Sequence, residues 1–124
     1  MQYDKSLVID ILHQIIDAIE VVQKRCKYAK VEDDFCFTEQ GQEKLDSICM
    51  KLIVVGESLK NIDKITNKEL LNNYPNIEWK KIKGIRDVLS HHYFDLDANV
   101  IFEICTEYIG ELLITLKQIR DDLS

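Results

Sequence analysis

A short segment near residue 90 gathers the side chains best suited to chemistry. It contains an arginine, an aspartate, two adjacent histidines and a tyrosine: Arg86, Asp87, His91, His92 and Tyr93. A neutral imidazole can take a proton from a ribose 2′-hydroxyl, and a guanidinium can hold the non-bridging phosphate oxygens as negative charge accumulates on them. Because the 2′-hydroxyl belongs to RNA, these residue types favour metal-independent cleavage of an RNA phosphodiester, with no cofactor.

Helix geometry decides which of these side chains share a face. A helix turns about 100° per residue, so Asp87 and His91, four positions apart, lie on one face. Arg86 and Tyr93 share another face. Arg86 and His91 point about 140° apart, so one phosphate can contact both only if the helix distorts or ends near Ser90, or if a second subunit brings its copy alongside. We favour the second subunit and expect a homodimer whose two segments meet near the two-fold axis.

The other polar residues of the segment each have two interpretations. Asp87 either accepts a hydrogen bond from the imidazole and fixes its tautomer, or forms an ion pair with Arg86. Lys80 and Lys83 either contact an RNA backbone or are solvated lysines on an exposed helix face. His92 either contacts the substrate or caps the end of the helix.

Composition limits the classes to which the protein can belong. With 124 residues, 46% hydrophobic residues, one proline and four glycines, the chain fits a single domain spanning residues 1–124. Its net charge of −6 disfavours binding of nucleic acid and anionic membranes by the molecule as a whole, so any binding of a polyanion must be local, and we expect no binding of DNA. The longest aliphatic run, residues 52–55, is far shorter than the roughly 20 residues of a membrane span. We therefore expect a soluble, cytoplasmic protein.

The cysteines give no metal-binding pattern. Cys26, Cys36, Cys49 and Cys105 form no C-x-x-C pair, and no histidine lies at ligand spacing beside them. Isolated cysteines commonly behave as small buried hydrophobic residues. We therefore expect four reduced, structural thiols and no bound metal, with a metal site or a disulfide as the alternatives.

Hydrophobic periodicity predicts helices along the chain. Apolar residues at three- and four-residue spacing mark a helix over about residues 3–29, a second from the cap at Thr38 to about Lys60, a short helix from Thr66 to Leu71, a fourth over about 77–92, and a fifth opened by Asp97. The inward-facing residues expected in the fifth are Val100, Ile101, Ile104, Cys105, Tyr108, Leu112 and Leu116. No segment alternates with the period of a strand. The predicted fold is an all-α, up-and-down bundle of four main helices and one short helix.

Several motifs resemble one known family. Residues 86–93 read R-x4-H-x-Y, which resembles the signature of the HEPN superfamily and specifically of its HepT-like toxin branch. Residues 54–58, VVGES, resemble the hydrophobic-Gly-Glu-small stretch of the second long helix in that branch. Residues 75–79 resemble its Pro-x-x-x-Trp lead-in, and residues 84–86 and 93–97 continue the match. The resemblance therefore covers nearly the whole chain.

The resemblance implies a function, a partner and a set of site residues. It implies a small all-α homodimer that acts as a metal-independent ribonuclease, the toxin of a toxin–antitoxin pair whose antitoxin is a minimal nucleotidyltransferase. Arg86 and His91 would be the catalytic pair, and Tyr93 the residue to which the antitoxin transfers AMP from ATP. We expect Gly56 to let two helices approach closely, and Glu57 either to support Arg86 or to form a surface ion pair.

A second class of function uses the same surface. In it, the chain is a catalytically idle helical dimer that acts as the docking and regulatory subunit of a nucleotidyltransferase. An idle docking module has no need for arginine and histidine together, and this chain has both. The motif therefore favours the ribonuclease, and a neighbouring gene with a nucleotidyltransferase motif would support the pairing in either class.

Overall fold

Helices form every regular element of the residues that the computed structural model describes, which are 2–89 and 94–124. The α-helices are α1 (Lys5–Cys26), α2 (Glu39–Thr66), α3 (Glu69–Asn72), α4 (Trp79–Lys83), α5 (Ile85–Leu89), α6 (Phe94–Glu103) and α7 (Ile109–Leu123). A 3-10 helix, Glu32–Phe35, lies between α1 and α2, and a π-helical turn, Ile104–Tyr108, joins α6 to α7. The predicted all-α bundle is confirmed.

The hydrophobic core lies where α1 packs against α2 and α7. Each of these helices buries a stripe of aliphatic side chains at the spacing of an amphipathic helix. Fully buried members of the stripes include Leu12, Ile15, Ile19, Leu45, Ile48, Leu52, Leu59, Ile62, Leu112 and Leu116. Burial of one such side chain contributes about 1.5–3 kcal/mol, so this core fixes α2 firmly. The short helices α3, α4 and α5 all pack against α2.

The second helix is longer than predicted. The hydroxyl of Thr38 accepts a hydrogen bond from the Gly41 N–H at 2.9 Å, so the predicted N-terminal cap is confirmed. The helix continues past Lys60 because Ile62 still faces the core, and Thr66 is its last residue rather than the cap of α3. It ends at Asn67 and Lys68, which both have positive φ, an arrangement that stops a helix abruptly.

The π-helical turn changes which residues face the core in the last part of the chain. The predicted fifth helix begins at Phe94 rather than Asp97, and the turn adds one residue to its register. Ile109 therefore takes the inward position predicted for Tyr108, which is 43% exposed. The prediction for Tyr108 is wrong for this reason. Four of the other predicted inward residues are buried: Ile101, Ile104, Leu112 and Leu116.

Two of the four cysteines form a disulfide. The expectation of four reduced thiols is wrong for Cys26 and Cys105, whose Cα atoms lie 5.5 Å apart and whose sulfurs are bonded. These residues are 79 positions apart, so their spacing in sequence did not indicate the pairing. The bond ties the end of α1 to the π-helical turn. Cys36 and Cys49 remain thiols.

The fourth predicted helix, 77–92, is interrupted. Its described part consists of α4 and α5, which are separated at Gly84. Residues 90–93 lie outside the described residues. Within the described ranges, no helix has both the length and the apolar character needed to cross a membrane.

Candidate functional site

Arg86 lies on α5, on the side turned away from the core. Its neighbours Ile85 and Leu89 are buried and hold the short helix against α2, so the residues between them face outward. The Arg86 side chain is 61% exposed. The structure therefore presents this guanidinium to solvent on an element that is anchored on both sides.

A carboxylate from α2 holds the guanidinium. Nη1 of Arg86 donates to Oε1 of Glu57 at 3.4 Å, and the Lys60 ammonium lies 2.9 Å from the other oxygen of Glu57. The hydrogen bond from Lys60 lowers the pKa of the Glu57 carboxyl, and the positive charges of Lys60 and Arg86 lower it further. Glu57 is thus an ionised support for Arg86 as well as a surface ion-pair partner, so both of its predicted interpretations apply.

Gly56 explains why Glu57 can reach Arg86. A Cβ atom at position 56 would lie 2.6 Å from the main-chain oxygen of Ile82 and 3.2 Å from Cγ2 of Ile85. Only glycine allows α2 to approach the junction of α4 and α5 this closely. The prediction that Gly56 permits close helix approach is confirmed. Gly56 lets α5 pack closely against α2, and Glu57, the next residue, pairs with Arg86 of α5.

A groove lined by lysines lies beside this pair. Lys80 and Lys83, for which RNA contact was one of two interpretations, line it together with Asp87. Lys83 donates to Asp63, a carboxylate that is only 7% exposed, so its ammonium is partly committed to the fold. Lys81 faces elsewhere and pairs with Glu78 at 2.9 Å. Of the basic run, Lys80 and Lys83 share one surface and Lys81 does not.

Sequence analysis missed the basic residues that α2 and the turn after it add to this groove. Lys60 and Lys64 of α2 line it, together with Lys68 in the turn. Lys60 and Lys64 are four positions apart, a spacing that places residues on one helix face and could have indicated the groove. The lysines were overlooked because they lie far in sequence from the motif segment.

The aromatic residues of the lead-in serve packing. Trp79 is buried, and its Nε1–H donates to the Tyr74 main-chain oxygen at 2.9 Å. The Tyr74 hydroxyl donates to Asp122 at 2.5 Å, and burial together with this bond raises the pKa of Tyr74 to about 12. These contacts fix the loop before α4 against α7, so the two rings hold the site rather than offer a stacking surface.

Several predicted site residues lie outside the described residues. They are His91, His92 and Tyr93, together with Ser90. Asp87 lines the lysine groove, and the carboxylate paired with Arg86 is Glu57, so an ion pair between Asp87 and Arg86 is not the observed arrangement. In residues 2–89 and 94–124, no group of three or more His, Cys, Asp or Glu side chains is arranged to hold a metal ion.

The fold and the site define an all-α protein that presents an anchored arginine beside a basic groove. Residues 15–119 match the family model described as ribonuclease HepT-like, and the chain belongs to this family. The family assignment confirms the predicted HepT-like resemblance.

Named relatives agree with this assignment. Two proteins of Methanocaldococcus jannaschii carry "putative RNase" in their names. The first, which is also named as a gamma-glutamylcyclotransferase, is 30% identical over 90% of this chain. The second is 25% identical over 96% of it. The chain spans 47% of the first relative and 88% of the second. A protein of Thermococcus cleftensis named "Probable ribonuclease HepT" is 27% identical over 90% of this chain and 94% of its own length. No solved structure matches the chain.

Proposed function

We propose that the protein is a metal-independent ribonuclease in which Arg86 and His91 act on one RNA phosphodiester. The observation that carries the proposal is the exposed Arg86 guanidinium, held by Glu57 beside a groove of lysines. A guanidinium has five N–H donors, and the contact with Glu57 involves only Nη1. Donors therefore remain for a phosphate, as transition-state stabilisation of a phosphorane-like oxyanion requires.

The proposed reaction is an internal transesterification. His91 takes the proton of the ribose 2′-hydroxyl, the 2′-oxygen forms a bond to phosphorus, and the bond from phosphorus to the 5′-oxygen breaks. The leaving 5′-oxygen takes up a proton from water, and His91 later returns its proton to solvent. Arg86 binds the non-bridging oxygens as their negative charge grows. The products are a 2′,3′-cyclic phosphate and a free 5′-hydroxyl.

The active form in this proposal is a homodimer. The helix interruption at Gly84 precedes Arg86, so it does not by itself bring Arg86 and His91 to one side. An apolar groove next to the motif segment, lined by Ile82, Ile85 and Val88 among others, supports a subunit interface there, and Val88 is 41% exposed. Light scattering should give twice the 14.5 kDa mass of one chain. A monomer that still cleaves RNA would refute the two-subunit site.

The cleavage test compares variants of the motif arginine with a distant arginine. Arg86→Ala should lower RNA cleavage by about 10²–10³, and Arg86→Lys should recover little because an ammonium cannot hold a phosphate in two places. Arg120→Ala, which removes a guanidinium paired with its neighbour Asp121 on α7, is the control and should cleave normally. His91→Ala should be inactive, and wild-type activity should survive EDTA. A strict requirement for Mg²⁺ would refute the mechanism.

The biological role in this proposal is that of a toxin neutralised by a nucleotidyltransferase antitoxin. AMP attached to Tyr93 would place a bulky anion near the guanidinium that must hold the RNA phosphate, and so would exclude substrate by charge and by volume. Expression of the chain alone should stop bacterial growth, and His91→Ala should not. A His91→Ala variant that remains fully active and fully toxic would overturn the catalytic role of His91. A wild type that neither cleaves RNA nor stops growth would favour the idle docking subunit.

The proposed modification has its own measurement. Incubation with the partner and ATP should add the mass of one AMP to the wild type and none to Tyr93→Phe, because the variant keeps the ring but lacks the acceptor oxygen. Tyr93→Phe should still cleave RNA. AMP on any other residue would contradict the assignment of Tyr93.

A further inference from the structure

The lysine groove is built from two elements that are distant in sequence. Lys60 and Lys64 lie on one face at the end of α2, Lys68 lies in the turn that follows, and Lys80 and Lys83 come from α4. Four helical residues rise by about 6 Å, so Lys60 and Lys64 already spread the positive charge along the groove rather than concentrate it at one point. A row of cations along a groove fits an extended polyanion better than a small anion.

Charge separates this groove from the rest of the surface. Five lysines line it against two aspartates, Asp63 and Asp87, whereas the whole chain has a net charge of −6. A local concentration of positive charge on an acidic protein attracts a polyanion to that place and repels it elsewhere. The groove can therefore accommodate a nucleic-acid backbone on a chain that is acidic as a whole.

The groove is held in shape and keeps unpaired cations. Buried Asp63 binds Lys83, and its main-chain oxygen accepts the N–H of Lys68, so one residue ties α4 to the end of α2. In the described part of the chain, Lys64, Lys68 and Lys80 form no ion pair. Their ammonium groups are available for phosphates, unlike that of Lys83.

The groove also connects directly to the proposed cleavage site. Lys60 lines the groove and pairs with Glu57, and Glu57 pairs with Arg86. A strand whose phosphates lie on the lysines therefore leads to the guanidinium. We infer that the groove between the end of α2 and α4 binds the backbone of single-stranded RNA on one side of the cut and delivers the next phosphate to Arg86. This inference rests on the proposed ribonuclease function.

Binding of an uncleavable RNA tests the groove separately from catalysis. The probe is a fluorescein-labelled 2′-O-methyl oligoribonucleotide, which lacks the attacking hydroxyl, and the readout is fluorescence anisotropy over a series of salt concentrations. Each phosphate contact on a single strand adds about 0.7 to the slope of log affinity against log salt. Lys64→Gln with Lys80→Gln should therefore reduce the slope by about 1.4 and weaken binding about 25-fold near 0.1 M salt.

Two further variants serve as controls, one expected to tighten RNA binding and one expected to leave it unchanged. Asp87→Asn removes a carboxylate from the groove wall and should tighten binding. Lys5→Gln with Lys24→Gln, both on the exposed surface of α1, removes the same two charges outside the groove and should leave the slope unchanged. If the groove variant and this α1 double variant lower affinity equally, the effect is one of net charge, and the groove is not the binding site.

The cleavage assay distinguishes failure of this inference from failure of the proposed function. With a cleavable RNA, the double lysine variant should raise KM while kcat stays near the wild-type value, since Arg86 is intact. A wild type that cleaves RNA and a double variant with unchanged KM would overturn the groove alone. A wild type that binds through the lysines but never cleaves would overturn the ribonuclease and leave the groove as a binding site.

Discussion

Adding one methyl group at Gly56 should displace the segment that carries Arg86. In Gly56→Ala the new Cβ would lie 2.6 Å from the Ile82 main-chain oxygen, whereas ordinary contacts of this kind begin near 3.4 Å. The end of α4, which carries Ile82, would have to retreat by roughly 0.8 Å, because close-packed interiors leave no void to absorb the atom. Over-packing of this kind costs about 1–3 kcal/mol, and the gain in helix propensity offsets about 0.5–1 kcal/mol of it.

The expected net loss is about 1–2 kcal/mol of unfolding free energy, or about 4–8 °C in melting temperature for a domain of this size. Urea denaturation followed by circular dichroism measures it. Gly110→Ala is the matched control, since a Cβ there meets nothing within 4 Å, and it should stabilise the protein by about 0.5–1 kcal/mol. Because this retreat occurs at the junction that leads into α5 and Arg86, Gly56→Ala should also lower RNA cleavage by about 10², whereas Gly110→Ala should cleave normally.

The result that would refute this reasoning is specific. If Gly56→Ala proves as stable as Gly110→Ala, the contact between α2 and the junction of α4 and α5 does not limit the fold. If Gly56→Ala is destabilised but cleaves RNA normally, the packing is correct, and Glu57 does not need its observed position to support Arg86.

Three further measurements test other features of the structure. Ellman's reagent in denaturant should titrate two thiols without reductant and four after reduction, and four thiols without reductant would exclude the disulfide. Breaking the cross-link between Cys26 and Cys105 should lower the free energy of unfolding by up to about 4 kcal/mol. Burial, followed by the charges of nearby aspartates, raises the pKa of the Cys49 thiol to about 12. In the folded protein Cys49 should therefore react about 10³ times more slowly at pH 8 than a thiol of pKa 9.0. Fast labelling would contradict this burial. Asp63→Ala should lower the free energy of unfolding by about 1–3 kcal/mol, because it leaves Lys83 without its partner. Adding Lys83→Met should recover part of that loss, whereas additive losses would show that the two side chains are not coupled.

The sequence by itself determined the helical class and the family. Apolar residues at three- and four-residue spacing specify helices whatever their surroundings, so the helical class and the cap at Thr38 were predictable. The motif residues were identifiable because arginine and histidine at R-x4-H resemble a known signature, and the family match agrees with that resemblance. The Gly-Glu pair at positions 56 and 57 was recognised in the same way.

Only the tertiary structure decided which distant residues meet. Periodicity describes one helix at a time, so it could not show that Cys26 reaches Cys105 or that lysines of α2 and α4 face one groove. It also assumes a constant 3.6-residue repeat, and therefore failed at the π-helical turn, where Tyr108 moves outward. The need for glycine at position 56 is evident only in the tertiary structure, where the Ile82 carbonyl packs against it. A close approach depends on two elements, and the sequence of one helix does not specify it.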